Sequence, residues 1–569
     1  MSSSARVGWA LALLTLWTLG VRMLGIDFGV PCMKEADTFI ADHVRMLREG
    51  EVKFDRALSA CQYPSFIADI TAPISHRTGV PTGAEHSLRE HLDSAAGPWV
   101  DVRRMVAALS ILIVPGTFLL ARRFVAPAWA LFAAALVSFS LLHVFFAQEA
   151  RAHGVVIAFS VLAVVCALWL RREPSWRAYI ASAVSAALSI ACLHNGLAVL
   201  APITVAQLLR RDRRWWDPRL LIVFALSALS FYCFYWYYFD AEAREAMAGE
   251  DALKALYDNL PFDGSGFARM GRTLWFYEPL LLLLVAIAAA IWLASLRKSR
   301  ATPATAERAD LLVVLAYVVP YVVMVGFYNQ TYERFMLLLL PYLATFAAWG
   351  ASELSSRIAS VRARRACVAA CVLALALPAV ASTKMAWLRS RPSTLDDTAE
   401  WIRSNVADPA HEALFALPPL DFPLCRTTES LRYPPGHAGL FTPWAKYQIK
   451  LDDAQRIAPL YRLYWLSGKP EFPQLDSAER VEAYLRSHGP GVFICSTIDE
   501  NQSVGRRRIV DGLRHIGKLV TRISPDSNPQ LTDHQLWDQD VEAAGWPNVT
   551  WRVLRARAVG PVIEIYRIE

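Results

Sequence analysis

Apolar residues in this chain are gathered into unbroken runs instead of recurring at amphipathic helical or strand spacing. The first run extends from about Val7 to Gly25. The rest lie near 102–121, 127–147, 153–170, 177–194, 196–209, 218–239, 273–296, 309–327, 335–352 and 364–382. Most are long enough to cross about 30 Å of hydrocarbon as a helix. The pattern therefore predicts an α-helical polytopic membrane protein with about eleven transmembrane helices. The first run follows a short start containing Arg6 and lacks a small-residue cleavage site, so it reads as an uncleaved span. The 196–209 run is short and is expected to be tilted or re-entrant.

Between the runs, basic and non-basic connections alternate. Arg122-Arg123 is followed by Arg171, Arg172 and Arg177, then Arg210, Arg211, Arg213 and Arg214. Arg297, Lys298 and Arg300 come next, then Arg357, Arg362, Arg364 and Arg365. The intervening connections, 148–153, His194-Asn195 and 328–334, are poor in such residues. Positive connections stay on the cytoplasmic side. The reading is a multi-pass inner-membrane protein with a cytoplasmic N-terminus. The loops 26–101 and 240–272, and the chain from Thr383, then lie outside. The aromatic run from Phe231 to Phe239 would close the seventh span at headgroup level.

Composition agrees: 55% of residues are hydrophobic and 19% charged, below the roughly 25% charge of soluble domains. A soluble enzyme, a disordered chain and a disulfide-dense miniprotein are excluded, and so is a β-barrel, whose strands alternate every second residue. The net charge of +7 is accounted for by topology, so a nucleic-acid partner is not needed. Four cysteines fall in outer segments, Cys32, Cys61, Cys425 and Cys495. They permit disulfides, most simply Cys32–Cys61 and Cys425–Cys495, although spacing does not fix connectivity.

Residues 1–382 read as the membrane module, including loop 26–101, and 383–569 as a soluble extracytoplasmic α/β domain. In the latter, Asp396 to Asn405 predicts a helix. Asp476-Ser477-Ala478-Glu479 resembles a capping box opening a second helix. Gly491 to Cys495 reads as a buried strand and Pro561 to Tyr566 as a closing strand. This domain is expected to pack or to bind an acceptor without supplying chemistry.

Ionisable residues that carry chemistry gather at the outer ends of spans. Glu35 and Asp37 follow the first span in Pro31-Cys32-Met33-Lys34-Glu35-Ala36-Asp37. An amphipathic segment comes next, with Phe39, Ile40, Val44 and Leu47 on its apolar side, expected to lie in the membrane interface. A carboxylate beside low-dielectric lipid can serve as a base; the plainer role is to stabilise a helix N-terminus. His143 and Gln148-Glu149-Ala150-Arg151-Ala152-His153 close the third span. Arg334, in Glu333-Arg334-Phe335, precedes the tenth, and a guanidinium there can bind phosphate by paired hydrogen bonds or anchor to headgroups. His194 interrupts an apolar run on the same side. No Cys/His cluster has zinc-site spacing and no glycine-rich phosphate loop is present.

The order of these features resembles the GT-C glycosyltransferases that use polyprenyl-phosphate sugars, such as the protein O-mannosyltransferases and the lipid A aminoarabinose transferases. Lys34-Glu35-Ala36-Asp37, Tyr63-Pro64-Ser65, Ser140-Leu141-Leu142-His143 running into Gln148-Glu149-Ala150-Arg151, and Glu333-Arg334-Phe335 leading to Pro341 carry the resemblance. It departs in the first loop, where the acidic residues are not adjacent, and in the second, where His153 stands near an expected aspartate. The resemblance implies transfer of a sugar from a polyprenyl-phosphate donor to a lipid, glycan or protein acceptor at the outer face, with inversion. Glu35 would be the base and Asp37 its alternate. Arg334 and Arg151 would bind the donor phosphate. Glu149, His143, His153 and His194 would support the acceptor or a divalent metal ion, whose need the resemblance leaves open. A polytopic transporter or lipid flippase is the competing reading, although such proteins usually hold ionisable groups near mid-membrane.

Overall fold

A computed structural model describes residues 3–33, 39–49, 64–75, 86–210, 212, 214–235, 262–298, 305–329, 331–417, 420–433, 442–466, 477–488, 491–496, 504–526 and 549–568. The helices of the membrane module are α1 (Ser3–Met23), α2 (Phe39–Glu49), α3 (Phe66–Thr71), α4 (Leu88–Ser110), α5 (Ile113–Ala121), α6 (Pro127–Ser138), α7 (Leu141–Ala147), α8 (His153–Arg172) and α9 (Trp176–Cys192). They continue with α10 (Leu200–Leu208), α11 (Leu220–Phe234), α12 (Ser265–Tyr277), α13 (Pro279–Lys298), α14 (Thr305–Phe327), α15 (Leu340–Arg357), α16 (Val361–Ala374) and α17 (Ala376–Arg389).

Each apolar run of the sequence coincides with one or two of these helices. Among the described residues, Leu88–Ala121, His153–Arg172, Glu307–Phe327, Glu333–Arg357 and Val361–Asn405 are long and apolar enough to cross a membrane unaided. The pair α6–α7, bent by 53°, makes a sixth candidate. Trp176–Cys192, Leu220–Phe234 and Pro279–Ser295 are apolar but shorter. The 196–209 run is a 3-10 turn, His194–Val199, leading into the nine-residue α10. Helix α4 begins at Leu88, inside what reads as loop, because Ser87 and Glu90 form a reciprocal capping box there.

Small residues let the helices approach closely. Ser160 of α8 and Ser189 of α9 hydrogen-bond at 2.8 Å. A Cβ on Gly350 of α15 would come within 2.4 Å of the Ala288 side chain in α13. At the arginine-rich end, Arg171 and Arg172 both pair with the buried Asp310, and Arg210 Nη1 lies 2.8 Å from Asp217. These connections carry structural ion pairs.

Two local expectations change. In α2 the buried stripe is Ile40, Ala41 and Val44, packed on α3 and α4, while Leu47, expected on the same apolar side, is exposed. Of the aromatic run, Tyr235 is buried and donates to the Ile190 carbonyl at 3.0 Å, so it locks α11 to α9, whereas Tyr232 is exposed.

Helix α17 runs through Thr383 to Arg389 before the C-terminal segment begins. That segment contains α18 (Thr394–Asn405), β1 (Ala413–Ala416), α19 (Thr428–Leu431), α20 (Pro443–Gln448), β2 (Arg462–Trp465), α21 (Ala478–Ser487), β3 (Gly491–Ser496), α22 (Val504–Ile516), β4 (Lys518–Ile523), α23 (Val549–Arg555) and β5 (Ile563–Ile568). The sheet order is β2-β1-β3-β5-β4, with β1 parallel to β2 and β3, and β5 antiparallel to β3 and β4. Both expected helices and both expected strands are present, α21 opening on Ser477, whose side chain accepts from the Arg480 amide.

Strand alternation decides the cysteines. Val492 and Ile494 face one core with Cys425; Phe493 and Cys495 face the other, against α21 and α22. Cys425 and Cys495 are free thiols on opposite sides of the sheet, which corrects the expected pairing. Cys32 is a buried free thiol, and Cys61 lies outside the described residues.

The sheet domain sits on the segment that follows α1. Phe28, Cys32 and Met33 share a core with Leu395, Leu424 and Trp444. The Trp444 amide donates to the Pro31 carbonyl at 3.0 Å, and Lys446 Nζ lies 2.8 Å from the Asp42 carboxylate. Helix α23 goes further. Val549, Val553, Ala556 and the following Val559 belong to the core of the membrane module, not to either core of the sheet domain.

Candidate functional site

The site is built at the ends of helices from backbone breaks. Helix α6 stops at Ser138, and α7 restarts at Leu141 with Ser140 as its N-cap. The buried Glu278, between α12 and α13, completes that cap. Its Oε1 accepts from Ser140 Oγ at 2.6 Å and from the Leu142 amide at 3.0 Å. An acid is favoured at such an N-terminus, where amides lack helical partners.

The next break follows α7. Gln148 Nε2 donates to the Leu24 carbonyl at 2.7 Å and the Val21 carbonyl at 3.2 Å, closing the end of α1. Its Oε1 accepts from Arg389 Nη1 at 2.9 Å. Arg389 and Arg103 guanidinium carbons stand 3.8 and 4.3 Å from the Phe28 ring centroid, and Arg103 Nη1 holds the Ile26 and Phe28 carbonyls at 2.8 Å each. Gly25 has φ +69° and approaches α17 so closely that a Cβ would lie 2.5 Å from the Ser390 nitrogen. The segment that follows α1 is thus clamped between α4 and α17.

From this clamp the chain turns through Glu149 and Arg151, each 1% exposed, with Oε2 and Nε 3.5 Å apart. His153 opens α8, buried, with Arg334, Arg151 and His194 as its charged or titratable neighbours. His194 itself begins its 3-10 turn at the surface. Arg334 is half-buried and lies 4.2 Å from the Tyr332 ring centroid and 5.5 Å from that of Phe335. Its Nε is buried and has no hydrogen-bond partner among the described residues. The turn that carries it is fixed by Thr331 Oγ1, which donates to the Val325 and Tyr328 carbonyls, and by Tyr321, which donates to the Phe335 carbonyl.

Tyr277 marks the other side of the cluster. It is buried, and the charges acting on it are Glu333, Glu149, Arg389 and Arg552. Arg151, Glu149, His153, His194 and Arg334 therefore lie near one another. His143 is not one of them. Its Nδ1 accepts from Arg22 Nη2 at 2.7 Å and Nε at 3.2 Å, inside the α1–α7 contact. Through this nitrogen it forms a joint between the two helices. Glu35 and Asp37 lie outside the described residues, as does Tyr63.

Among the described residues, no group of three or more His, Cys, Asp or Glu side chains is arranged to hold a metal ion. Glu149 is already committed to Arg151. Arg151, Arg334, Arg389 and Arg552 stand there with Glu149, Glu333 and the buried Glu278. A guanidinium whose Nε is buried and without a hydrogen-bond partner among the described residues, as in Arg334, suits a phosphate. Sequence reasoning missed Tyr277, Glu278, Arg389 and Arg552. Glu278 alone had a local signal, an acid immediately before an apolar run.

No protein-family model matches the chain, and no characterised protein matches it in sequence. Among solved structures, ArnT from Cupriavidus metallidurans bound to undecaprenyl phosphate aligns over 90% of this chain and 96% of its own, with 14% identity and a TM-score of 0.43. AglB, an oligosaccharyltransferase from Archaeoglobus fulgidus in complex with an inhibitory peptide and a dolichol-phosphate, aligns over 92% of this chain and 74% of its own, with 9% identity and a TM-score of 0.42. The S. cerevisiae protein O-mannosyltransferase Pmt1-Pmt2 complex bound to the sugar donor covers 41% and 34%, with 15% identity and a TM-score of 0.31. These neighbours are GT-C glycosyltransferases, the group whose motif order the sequence resembles. At TM-scores below 0.5 they carry none of the functional argument, which rests on the side chains above.

Proposed function

We propose that the protein is a membrane glycosyltransferase that takes a sugar from a polyprenyl-phosphate donor and passes it to a lipid, glycan or protein acceptor at the outer face. The observation that carries this reading is Arg334, a half-buried guanidinium backed by Tyr332 and Phe335, with an unpartnered Nε beside Arg151 and His153. Such a group, set in low-dielectric surroundings, binds a phosphate more strongly than it would in water. The phosphate is the leaving group of the reaction, so the same contacts stabilise charge that develops as the C1–O bond breaks.

The acceptor oxygen attacks C1 in line and gives its proton to a carboxylate. Glu35 is the proposed base and Asp37 its alternate, on the sequence reading. Because one displacement occurs, the anomeric centre inverts. Glu149 orients Arg151, and His153 and His194 flank the phosphate. The orientation follows from the alternating basic connections: N-terminus cytoplasmic, sheet domain periplasmic, in a multi-pass inner membrane.

The test is a transfer assay with purified protein and a radiolabelled polyprenyl-phosphate sugar. The expected result is release of polyprenyl phosphate by the parent chain and its loss in Glu35→Gln or Asp37→Asn. Full turnover in both variants discards the base. Uptake of solute into vesicles without bond cleavage discards the transferase in favour of transport.

A further inference from the structure

Arg334 is carried by an uncommon winding. Glu333–Leu339 is a seven-residue 3-10 turn that runs straight into α15 at Leu340. Runs of this winding seldom exceed three or four residues, because the hydrogen bonds are poorly aligned and the side chains eclipse. A longer run needs support from outside itself. The later part has it, since Met336, Leu337, Leu338 and Leu339 are buried in the core of the membrane module. The start of the turn has no side-chain cap from Tyr332. Support there comes from α14. Tyr321, 3% exposed, donates from its hydroxyl to the Phe335 carbonyl at 2.9 Å. Its ring is fixed in turn by that of Tyr317 on the same helix, stacked at 6.2 Å between centroids and 1° between planes.

We propose that Tyr321 is a positioning residue for Arg334: by holding the Phe335 carbonyl it keeps the turn in its 3-10 winding, and that winding aims the guanidinium. The inference rests on the phosphate reading above. A 3-10 turn advances about 120° and 2.0 Å per residue, an α-helix about 100° and 1.5 Å. Relaxed to α-helix between Arg334 and Leu340, the segment would turn Arg334 by about 120° around its axis and draw it in by about 3 Å. A fraction of that displacement takes a paired guanidinium contact off one phosphate. The Tyr321 hydroxyl gives its proton to the Phe335 carbonyl, so it acts through Arg334 and not on the phosphate itself. Arg334 is thus aimed by a residue of α14 that the sequence places in the middle of an apolar run.

The experiment uses the full chain and undecaprenyl phosphate as probe, with binding measured by native mass spectrometry in detergent. Tyr321→Phe deletes one hydroxyl and keeps the ring and its stacking. It is expected to weaken binding by about fivefold. In an Arg334→Gln background the same substitution is expected to change binding by no more than about twofold, because the group it positions is gone. Tyr342→Phe is the control. It deletes a buried hydroxyl that has no hydrogen-bond partner among the described residues, on a ring 5.3 Å from that of Tyr317, and should leave binding within about twofold. Unchanged binding in Tyr321→Phe overturns the inference while leaving the phosphate site standing. So does a loss of the same size with and without Arg334, which would mark the hydroxyl as structural only. No binding by the parent chain, or full binding by Arg334→Gln, overturns both readings. Should Tyr321→Phe fail to fold, the same cycle with Tyr321→His, which keeps a ring and a donor, decides the question. A loss confined to chains that hold Arg334 supports the inference, and a loss shared by both backgrounds overturns it.

Discussion

Arg22 and His143 meet in the buried contact between α1 and α7, with Arg22 Nη2 2.7 Å and Nε 3.2 Å from His143 Nδ1. A guanidinium can only donate, so Nδ1 must be the bare nitrogen and the proton sits on Nε2. The other polar contact of Arg22 is the Thr18 carbonyl at 3.3 Å. His143→Ala therefore leaves a buried cation short of an acceptor, and the expected cost is about 3 kcal/mol. His143→Gln can return a carbonyl oxygen to Arg22 and should lose less. Unfolding midpoints of the purified chain check this, and equal losses in both variants would contradict it.

Asp421 sets a pH dependence in the sheet domain. Burial pushes its carboxyl above the ordinary aspartate range, against the opposing pull of Arg426 and of the bonds from Thr442 and the Phe422 amide. The folded chain then holds this proton more tightly than the unfolded chain does. Stability falls as pH rises from the unfolded aspartate value, about 4, through the raised folded one, and stays lower above it. Asp421→Asn removes the slope, so the variant should gain on the parent as pH rises through that window. A difference in unfolding midpoint that stays constant with pH contradicts the assignment.

Much of the fold is legible in the sequence because long apolar runs have few alternatives to helix. The site is partly legible for a related reason. Glu149, Arg151, His153 and Arg334 stand out where an apolar run ends, and the breaks that end the runs also gather them. Arg552 is not legible, because Val549, Val553 and Ala556 form a short stripe that fits a sheet-domain core equally well. The Arg22 contact of His143 is hidden for a similar cause: its partner is distant in sequence, and nothing local to Ser140-Leu141-Leu142-His143 reveals it. The cysteines could not be paired from spacing, since only strand register shows which face each one takes.

The cysteine result has a direct check. Cys425 and Cys495 lie in cores on opposite sides of the sheet. Denaturation with an alkylating reagent and no reductant, followed by peptide mapping, should recover both as alkylated thiols. A crosslinked peptide containing the two would show that the sheet register is wrong.

The central claim is that Arg334 receives the phosphate of a lipid-linked sugar donor. It is tested most directly by the dissociation constant of undecaprenyl phosphate from the parent chain, Arg334→Gln and Arg334→Lys in the same detergent. The account predicts measurable binding by the parent, a loss of about tenfold or more in Arg334→Gln, and partial retention in Arg334→Lys, which keeps the charge but not the paired donors. Equal affinity in the parent and Arg334→Gln, or no affinity in the parent, would contradict it.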